Sequence, residues 1–509
     1  MKKIICIILF AAYLSAQVSY AQADGDSLFE SNQIHNIKLY FAQAKWYDSL
    51  IVYKPLDKKM MGNVNINGRF IDSVGVQFKG NSSFNAPGVK KPWKIDFNEY
   101  STGTKYDGLK TINLNNAMKD PSFMREKIFD DFCRRVGVEA PRATYANVYV
   151  NDTLWGFYTL VEQCDKTMLN TQIGNNGGNL FKGDPNGTLQ WYGSAASSYY
   201  GKYELKTNKT ANDWTDLIHL IDEINNTPSV NFYDSLEKSL NTKSWIEGWA
   251  ANIMFVNLDS YNGTGHNYYL YHNSATNKFD FIIWDTNEAF GNFNFGMSIS
   301  QLESLSMSYI PNPATGRPLT DKMLQNTAYK NTYVNTVCNY VTDYFSNIYL
   351  DPKIDSLANL IRPYVYADPH KPYTNANFET NITSTVMGNI AGLKSFIANR
   401  RINLLSQLAA YNCFMGTEEF QEEGYKFQVS PNPNNGMFNV QCLMANENIS
   451  TINHQPLTIE IYNALGELTL ATTVNSKPET INLRQTSGIY FYRILSGEDS
   501  VASGKLVVE

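Results

Sequence analysis

Along this chain the spacing of apolar positions changes twice, and each change marks a change of architecture. From about Asn36 to Glu162 apolar and polar residues alternate, as in Asp72-Ser73-Val74-Gly75-Val76-Gln77-Phe78, in Trp93-Lys94-Ile95-Asp96-Phe97 and in Ala146-Asn147-Val148-Tyr149-Val150. A period of two sends successive side chains to opposite faces, so these runs predict strands of a sheet with one wet face. Asn151-Asp152 reads as a turn, and Gly156 to Val161 returns as the second strand of a hairpin. One helix interrupts the strands. Asp120-Pro121-Ser122 supplies its cap and first turn, Phe123, Ile128, Phe129, Phe132 and Val136 its apolar stripe, and Gly137 its end.

Beyond Asp165 the period lengthens to three and four, predicting helices around Trp214 to Asn225, Ser244 to Asn257 and Val386 to Leu408. Between two of them, Asn267 to Tyr271 and Lys278 to Trp284 read as a hairpin. From Phe427 the pattern reverts to short strands separated by turns, after the breaker Pro431-Asn432-Pro433-Asn434-Asn435-Gly436. The reading is an α+β chain: a sheet-rich lobe over about 30–165, a helical lobe over about 166–410, a Glu-rich linker over 411–426, and a small all-β, sandwich-type domain over 427–509.

Composition adds bounds. The 509 residues are 43% hydrophobic and 18% charged, which favours packed cores over disorder. A net charge of −6 offers no general attraction to nucleic acid or to an anionic membrane. At the N-terminus Lys2-Lys3, the apolar run Ile4 to Leu14 and the small-x-small site Ala21-Gln22-Ala23 predict a signal peptide over 1–23. That run is too short to span a bilayer and no later one is long enough, so the mature chain is expected without a transmembrane segment, outside the cytoplasm. Cleavage removes Cys6 and leaves Cys133, Cys164, Cys338, Cys413 and Cys442, an odd set without C-x-x-C spacing that predicts neither a zinc site nor a pairing.

The chemistry concentrates in three stretches: Asn257-Leu258-Asp259-Ser260-Tyr261, then Gly265-His266-Asn267, then Trp284-Asp285-Thr286-Asn287-Glu288-Ala289-Phe290-Gly291. Acids and amides flanking a short hairpin can supply hard oxygen ligands for a magnesium ion beside nucleotide phosphates, and a carboxylate near an incoming hydroxyl. Upstream, Phe78-Lys79-Gly80-Asn81-Ser82-Ser83 is a strand running into a small-residue turn, followed by the strand lysine Lys94; a phosphate-cradling loop has this form. Tyr158 to Asp165 leaves the last strand of the sheet half, where exposed backbone around Glu162 could meet a nucleotide base. Each residue also has an ordinary reading: Asp285 as a turn cap, Lys94 as an exposed strand lysine, Gly80 to Ser83 as a hairpin turn, His266 as a locally satisfied side chain, and the tyrosines of Tyr268 to Tyr271 as packing. No G-x-S-x-G or H-E-x-x-H motif occurs.

In order, Phe78 to Ser83, Lys90-Lys91-Pro92-Trp93-Lys94, the Asp120 to Pro141 stretch, Gly156 to Glu162, Asn267 to Tyr271 and Trp284-Asp285 to Gly291 resemble the CotH (spore-coat protein H) kinase-like family over about Ile37 to Leu408. The resemblance implies a two-lobed atypical protein-kinase-like fold that uses ATP with Mg2+ or Mn2+. By it, Lys94 is the phosphate lysine, Gly80, Asn81, Ser82 and Ser83 lie over the phosphates, Asp259 is the catalytic-loop acid, Asn267 a metal-ligand candidate and Asp285 the metal-binding acid. Glu126 is the natural partner for Lys94, with Arg125, Asp130 and Asp131 competing. The expected activity is phosphoryl transfer to a protein Ser or Thr; the alternatives are an inactive surface adhesin or binding module of the same fold, and a nucleotidyl transferase. H-R-D, D-F-G and G-x-G-x-x-G motifs are lacking. The tail, through Val429-Ser430-Pro431-Asn432-Pro433, Ile461 to Gly466 and Gly488-Ile489-Tyr490-Phe491, resembles the type IX secretion C-terminal sorting domain, which implies that secretion machinery as a partner and a secreted or cell-surface location.

Overall fold

A computed structural model describes residues 23–30, 33–311, 316–411 and most of 420–508. The predicted signal peptide before Ala23 and most of the predicted linker lie outside the described residues.

Seven strands make the sheet-rich half: β1 (His35–Tyr40), β2 (Met60–Ile66), β3 (Arg69–Phe78), β4 (Trp93–Asp96), β5 (Thr111–Asn115), β6 (Ala143–Val150) and β7 (Thr153–Glu162). They are not an open sheet with one wet face. The order β1-β2-β3-β4-β5-β7-β6 closes into a barrel because β1 pairs in parallel with β6. Alternation still sorts the side chains: Phe78, Trp93, Leu114 and Leu160 stand opposite one another and fill the interior. Gln77, Lys94 and Asn113 form the matching row on the outer face. Short helices α1 (Asp26–Phe29), α2 (Trp46–Tyr53) and α3 (Ser82–Asn85) decorate the barrel.

Helix α4 (Arg125–Arg135) leaves the barrel after β5. It starts four residues later than the Asp120 cap suggested, because Asp120 to Met124 form a turn whose Asp120 carboxylate accepts from the Arg125 amide at 2.9 Å.

The helical half holds α5 (Lys166–Gln172), α6 (Thr215–Asn226), α7 (Ser229–Ser239), α8 (Thr242–Met254), α9 (Ile299–Glu303), α10 (Pro318–Gln325), α11 (Thr327–Asp343), α12 (Asn347–Ala367), α13 (Asn375–Thr383) and α14 (Leu393–Leu408). The predicted hairpin is present as β10 (Tyr268–Asn273) and β11 (Lys278–Ile283), and β8 (Leu180–Gly183) and β9 (Tyr203–Leu205) extend it into the sheet β11-β10-β8-β9. Helix α8 is the hub: Trp245 and Trp249 are buried, and Gly248 lets β11 approach so closely that a Cβ there would lie 2.5 Å from the Phe281 ring. Burying side chains of this size contributes about 1.5–3 kcal/mol each. Helix α14 begins at Leu393, not at Val386, since Val386 to Ile390 is a tight turn.

Two buried polar links tie the halves: Lys90 to Asp368 at 2.6 Å, and Arg125 Nη1, donating to Asn381 Oδ1 at 2.9 Å. Among the described residues no helix is long and apolar enough to cross a membrane. The C-terminal part is all β. Strands Phe427–Ser430, Met437–Cys442 and Glu479–Asn482 form one sheet, and Gln455–Asn463, Leu468–Val474, Gly488–Ser496 and Asp499–Val508 belong to another. Phe438, Ile459, Ile461, Ile494 and Leu506 are buried in the core they share.

Candidate active site

The barrel presents its outer row toward the β10–β11 hairpin, and the charged residues of both halves meet there. Lys79 follows β3 directly. Its ammonium donates to Asn115 Oδ1 at 2.9 Å, and the Asn115 amide donates to both oxygens of Glu126, at 2.8 and 2.9 Å. A lysine on the barrel and a glutamate on α4 are thus joined through one intervening amide. Glu126 is fixed by its neighbour, since Arg125 is pinned to Asp120 at 2.7 Å and to Asn381. Burial and the negative charge of Asp285 push the Glu126 carboxyl up to about 7, against the Asn115 hydrogen bonds and Lys79. Burial pulls the Lys79 ammonium down, with Asp285 and Glu126 working to restore it.

Asp285 stands just past β11, in left-handed backbone at φ 57°. Its neighbour Trp284 is buried, and the Lys79 ammonium lies 5.7 Å from the Trp284 ring centre. The Asp285 side chain itself is open to water. Its carboxyl is nonetheless raised by the surrounding protein, in opposition to Lys79 and Lys182; a group can touch water and still lose much of its hydration to the walls of a cleft. The next residue, Thr286, donates to the buried Asp130 carboxylate of α4 at 2.8 Å, and Glu288 pairs with Lys119 at 2.7 Å.

The loop between α8 and β10 carries Asp259 and is held tightly. His266 Nε2 lies 2.8 Å from Asp259 Oδ1, Asn267 Nδ2 donates to Asp259 O and Oδ2 at 2.9 and 3.0 Å, and the Thr264 hydroxyl donates to Oδ1 at 3.2 Å. Gly263 permits this closure, for a Cβ there would sit 1.7 Å from Leu258 O. For His266, burial works downward, but the hydrogen bond that it donates to Asp259 and the charges of Asp259, Asp184 and Asp285 prevail and raise it.

The structure therefore brings Asp259, Asn267 and Asp285 into one electrostatic neighbourhood, together with Lys79 and His266. Lys94 lies on the same outer face but apart from Glu126, and makes no hydrogen bond or ion pair among the described residues. Burial and the nearby charges of Lys206, Lys79 and Lys59 pull it down to about 8. The small-residue turn is a loop with a single helical turn, in which Gly80 has φ +75° and Asn81 and Ser82 are exposed. Glu162 turns elsewhere: its carboxylate is buried against Arg142, at 2.7 Å from Nη2 and 3.0 Å from Nε, and its amide is spent on Arg142 O. Sequence reasoning passed over Lys79, Asn115 and Lys182. The one signal for Lys79 was its place two residues beyond Gln77, in phase with the row containing Lys94.

Among the described residues no group of three or more His, Cys, Asp or Glu side chains is arranged to hold a metal ion. Asp285 supplies one water-accessible carboxylate and Asn267 retains its amide oxygen. A sparse set of hard oxygen donors fits magnesium, which keeps waters and takes ligands from phosphates, better than it fits a metal needing a full protein cage.

Comparison with known proteins places these residues in a family. Over 286 residues the chain is 28% identical to the inner spore coat protein H of Bacillus subtilis (strain 168), covering 55% of this chain and 75% of that protein. Among solved structures, the HipA–HipB–operator DNA complex of Shewanella oneidensis MR-1 matches at 11% identity and a TM-score of 0.31, over 65% of this chain and 66% of that chain, a likeness too loose to define the fold. Residues 428–509 match the secretion system C-terminal sorting domain. Residues 76–404 match the CotH kinase protein model, and the chain belongs to that family.

Proposed function

We propose that this protein is an exported, metal-dependent kinase that transfers the γ-phosphoryl group of ATP to a Ser or Thr hydroxyl of a polypeptide, from a cleft between two kinase-like lobes. The observation that carries this reading is the Lys79–Asn115–Glu126 relay facing Asp285. A protein-kinase site uses a lysine held by a helix glutamate beside a metal-binding acid, because its catalysis is mostly positioning and charge neutralisation. Lys79 takes the principal phosphate role. Lys94, a charge without a partner among the described residues, is a second phosphate contact, with the Gly80 to Ser83 loop above. Asp285, aided by the Asn267 amide oxygen, would hold Mg2+ or Mn2+, which when bound neutralises charge on the phosphates. Asp259 orients the acceptor hydroxyl and receives its proton; His266, Asn267 and Thr264 fix the carboxylate for that task.

The sorting domain supports export through the type IX system to the cell surface or medium. Incubation of the protein with ATP labelled at the α or the γ position, with magnesium and a mixture of Ser- and Thr-containing peptides, tests the proposal. Transfer of γ-label alone is expected. Transfer of α-label would make it a nucleotidyl transferase, and no binding or transfer of either would leave a binding module.

A further inference from the structure

The C-terminal domain does not read as a bead on a string. Residues of strands Gln455–Asn463 and Gly488–Ser496 meet residues of α11, α12 and α14 of the helical half, and a cavity of about 60 Å³ is lined from both sides, by Tyr349 and Leu405 on one and by Tyr462 and Phe491 on the other. At one rim, the Arg401 guanidinium of α14 packs against the Gly466 turn of the tail so closely that a Cβ on Gly466 would lie 2.4 Å from Nη1. At the other, Arg493 is presented as a prepared cation: its Nη2 donates to Glu460 Oε2 at 2.8 Å and to the Tyr462 hydroxyl at 3.2 Å, and its charge acts on Asp343 at the end of α11. Asp343 is half-buried, and burial pushes its carboxyl up to about 6 while Arg493 draws it down.

We infer that the helical half carries a built seat for the C-terminal domain of the same chain, made by the Arg401–Gly466 contact and by Arg493 placed beside the Thr342 end of α11 around a shared apolar centre, so that the catalytic unit and its sorting domain travel as one body. The occupant is identified by complementarity: an arginine already braced by a glutamate and a tyrosine lines the shared cavity beside the acid-tipped end of α11, and a long cation meets a turn kept bare by glycine. A small interface of this kind suits a tethered partner, for which the chain itself supplies the high local concentration.

Small-angle scattering of the mature full-length chain tests this. The wild type should scatter as a single compact body. Asp343→Arg should set like charge against Arg493 while leaving the tail's own Arg493–Glu460 pair intact, and shift the profile to that of two bodies on a tether, raising the undocked population about tenfold for each 1.4 kcal/mol of seat lost. Leu405→Glu, which puts a charge into the apolar centre from the helical side, should do the same, and neither change lies in the tail. A wild-type profile of two separated bodies, or a compact profile for either variant, overturns the inference. So does a compact form that appears only as a concentration-dependent dimer, which would mean that the seat receives a second copy.

Discussion

Lys90 and Asp368 lie 278 residues apart in sequence and 2.6 Å apart in space, with side chains 4% and 0% exposed. Lys90 closes the loop that begins at Gly80, and Asp368 caps the end of α12, where it also accepts from the Phe157 amide at 3.1 Å. The loop proposed to lie over the phosphates is therefore anchored at its far end to the helical half. Breaking one side of a buried ion pair strands the other charge and costs about 3–5 kcal/mol, whereas replacing both by apolar groups costs much less. Lys90→Met and Asp368→Leu should each lower the unfolding free energy by at least about that amount, and the double variant should recover the part owed to the stranded charge, leaving the about 1–3 kcal/mol of the orphaned Phe157 amide. Denaturant unfolding of the three variants checks this; equal losses in single and double variants would show that the pair does not act as a unit.

Lys79 and Lys94 compete for one role, and substitution separates them. Lys79→Met should reduce kcat/KM for ATP by about 10²–10³-fold, the scale of losing a preorganised charge at a transferring group. Lys94→Met should weaken nucleotide binding by about tenfold, the scale of one charge-assisted hydrogen bond. The reverse order, measured by steady-state kinetics and calorimetry on both proteins, returns the principal role to Lys94.

Asp285→Ala should abolish magnesium-dependent ATP binding while leaving the melting temperature close to that of the wild type, because the side chain is open to water and caps no buried partner among the described residues. Titration calorimetry with and without magnesium reads both. Undiminished metal-dependent affinity would remove Asp285 from the site.

The lowered Lys94 ammonium gives a pH signature. With a folded value of about 8 against an ordinary 10.5, it is charged below about 8 and neutral above. Nucleotide affinity should therefore fall as pH rises through 8, with proton uptake on binding above that point, since a phosphate draws the proton back. The folded state binds fewer protons than the unfolded one between 8 and 10.5, so this group makes stability rise with pH across that window. In Lys94→Met the affinity slope should vanish and the stability slope should diminish, Lys79 keeping its own share; persistence of the affinity slope would assign it to another group.

Truncation after Gly424 should leave a folded unit that still binds ATP, since none of the proposed nucleotide contacts comes from beyond Leu408. Export of that fragment from the native host should fail. Normal export would sink the sorting role, and loss of nucleotide binding in a cooperatively folding fragment would sink the independence of the catalytic unit.

How much of this was legible in sequence varies with the physical signal. Strands β3, β4, β6 and β7 were readable because alternation survives in a barrel as well as in a sheet; closure was not, because the β1–β6 pairing joins residues more than a hundred positions apart and leaves no local trace. Helix α12 went unread although Leu350, Ile354, Ala358, Ile361 and Val365 recur at helical spacing, since Pro352 and Pro363 lie inside it and argue locally against a helix. In the site, the order Asp259, Asn267, Asp285 was visible. Which lysine reaches Glu126 was not: Lys79 and Lys94 occupy equivalent polar positions of neighbouring strands, and the deciding partner, Asn115, is an unremarkable amide on a third. Glu162 misled because backbone leaving a strand end looks free until its amide is seen to donate to Arg142 O.

The parallel pairing of β1 with β6 also sets an order of events. A chain made from its N-terminus presents His35–Tyr40 long before Ala143–Val150 exists, so one edge of β1 waits without its backbone partner until well over a hundred residues have followed. Such a delay exposes unpaired amides and carbonyls to any passing strand, and non-local closure of this kind slows folding. The N-terminal strand should thus be the last to gain protection from amide exchange during refolding, and the step most dependent on a chaperone that keeps an open edge from finding the wrong neighbour.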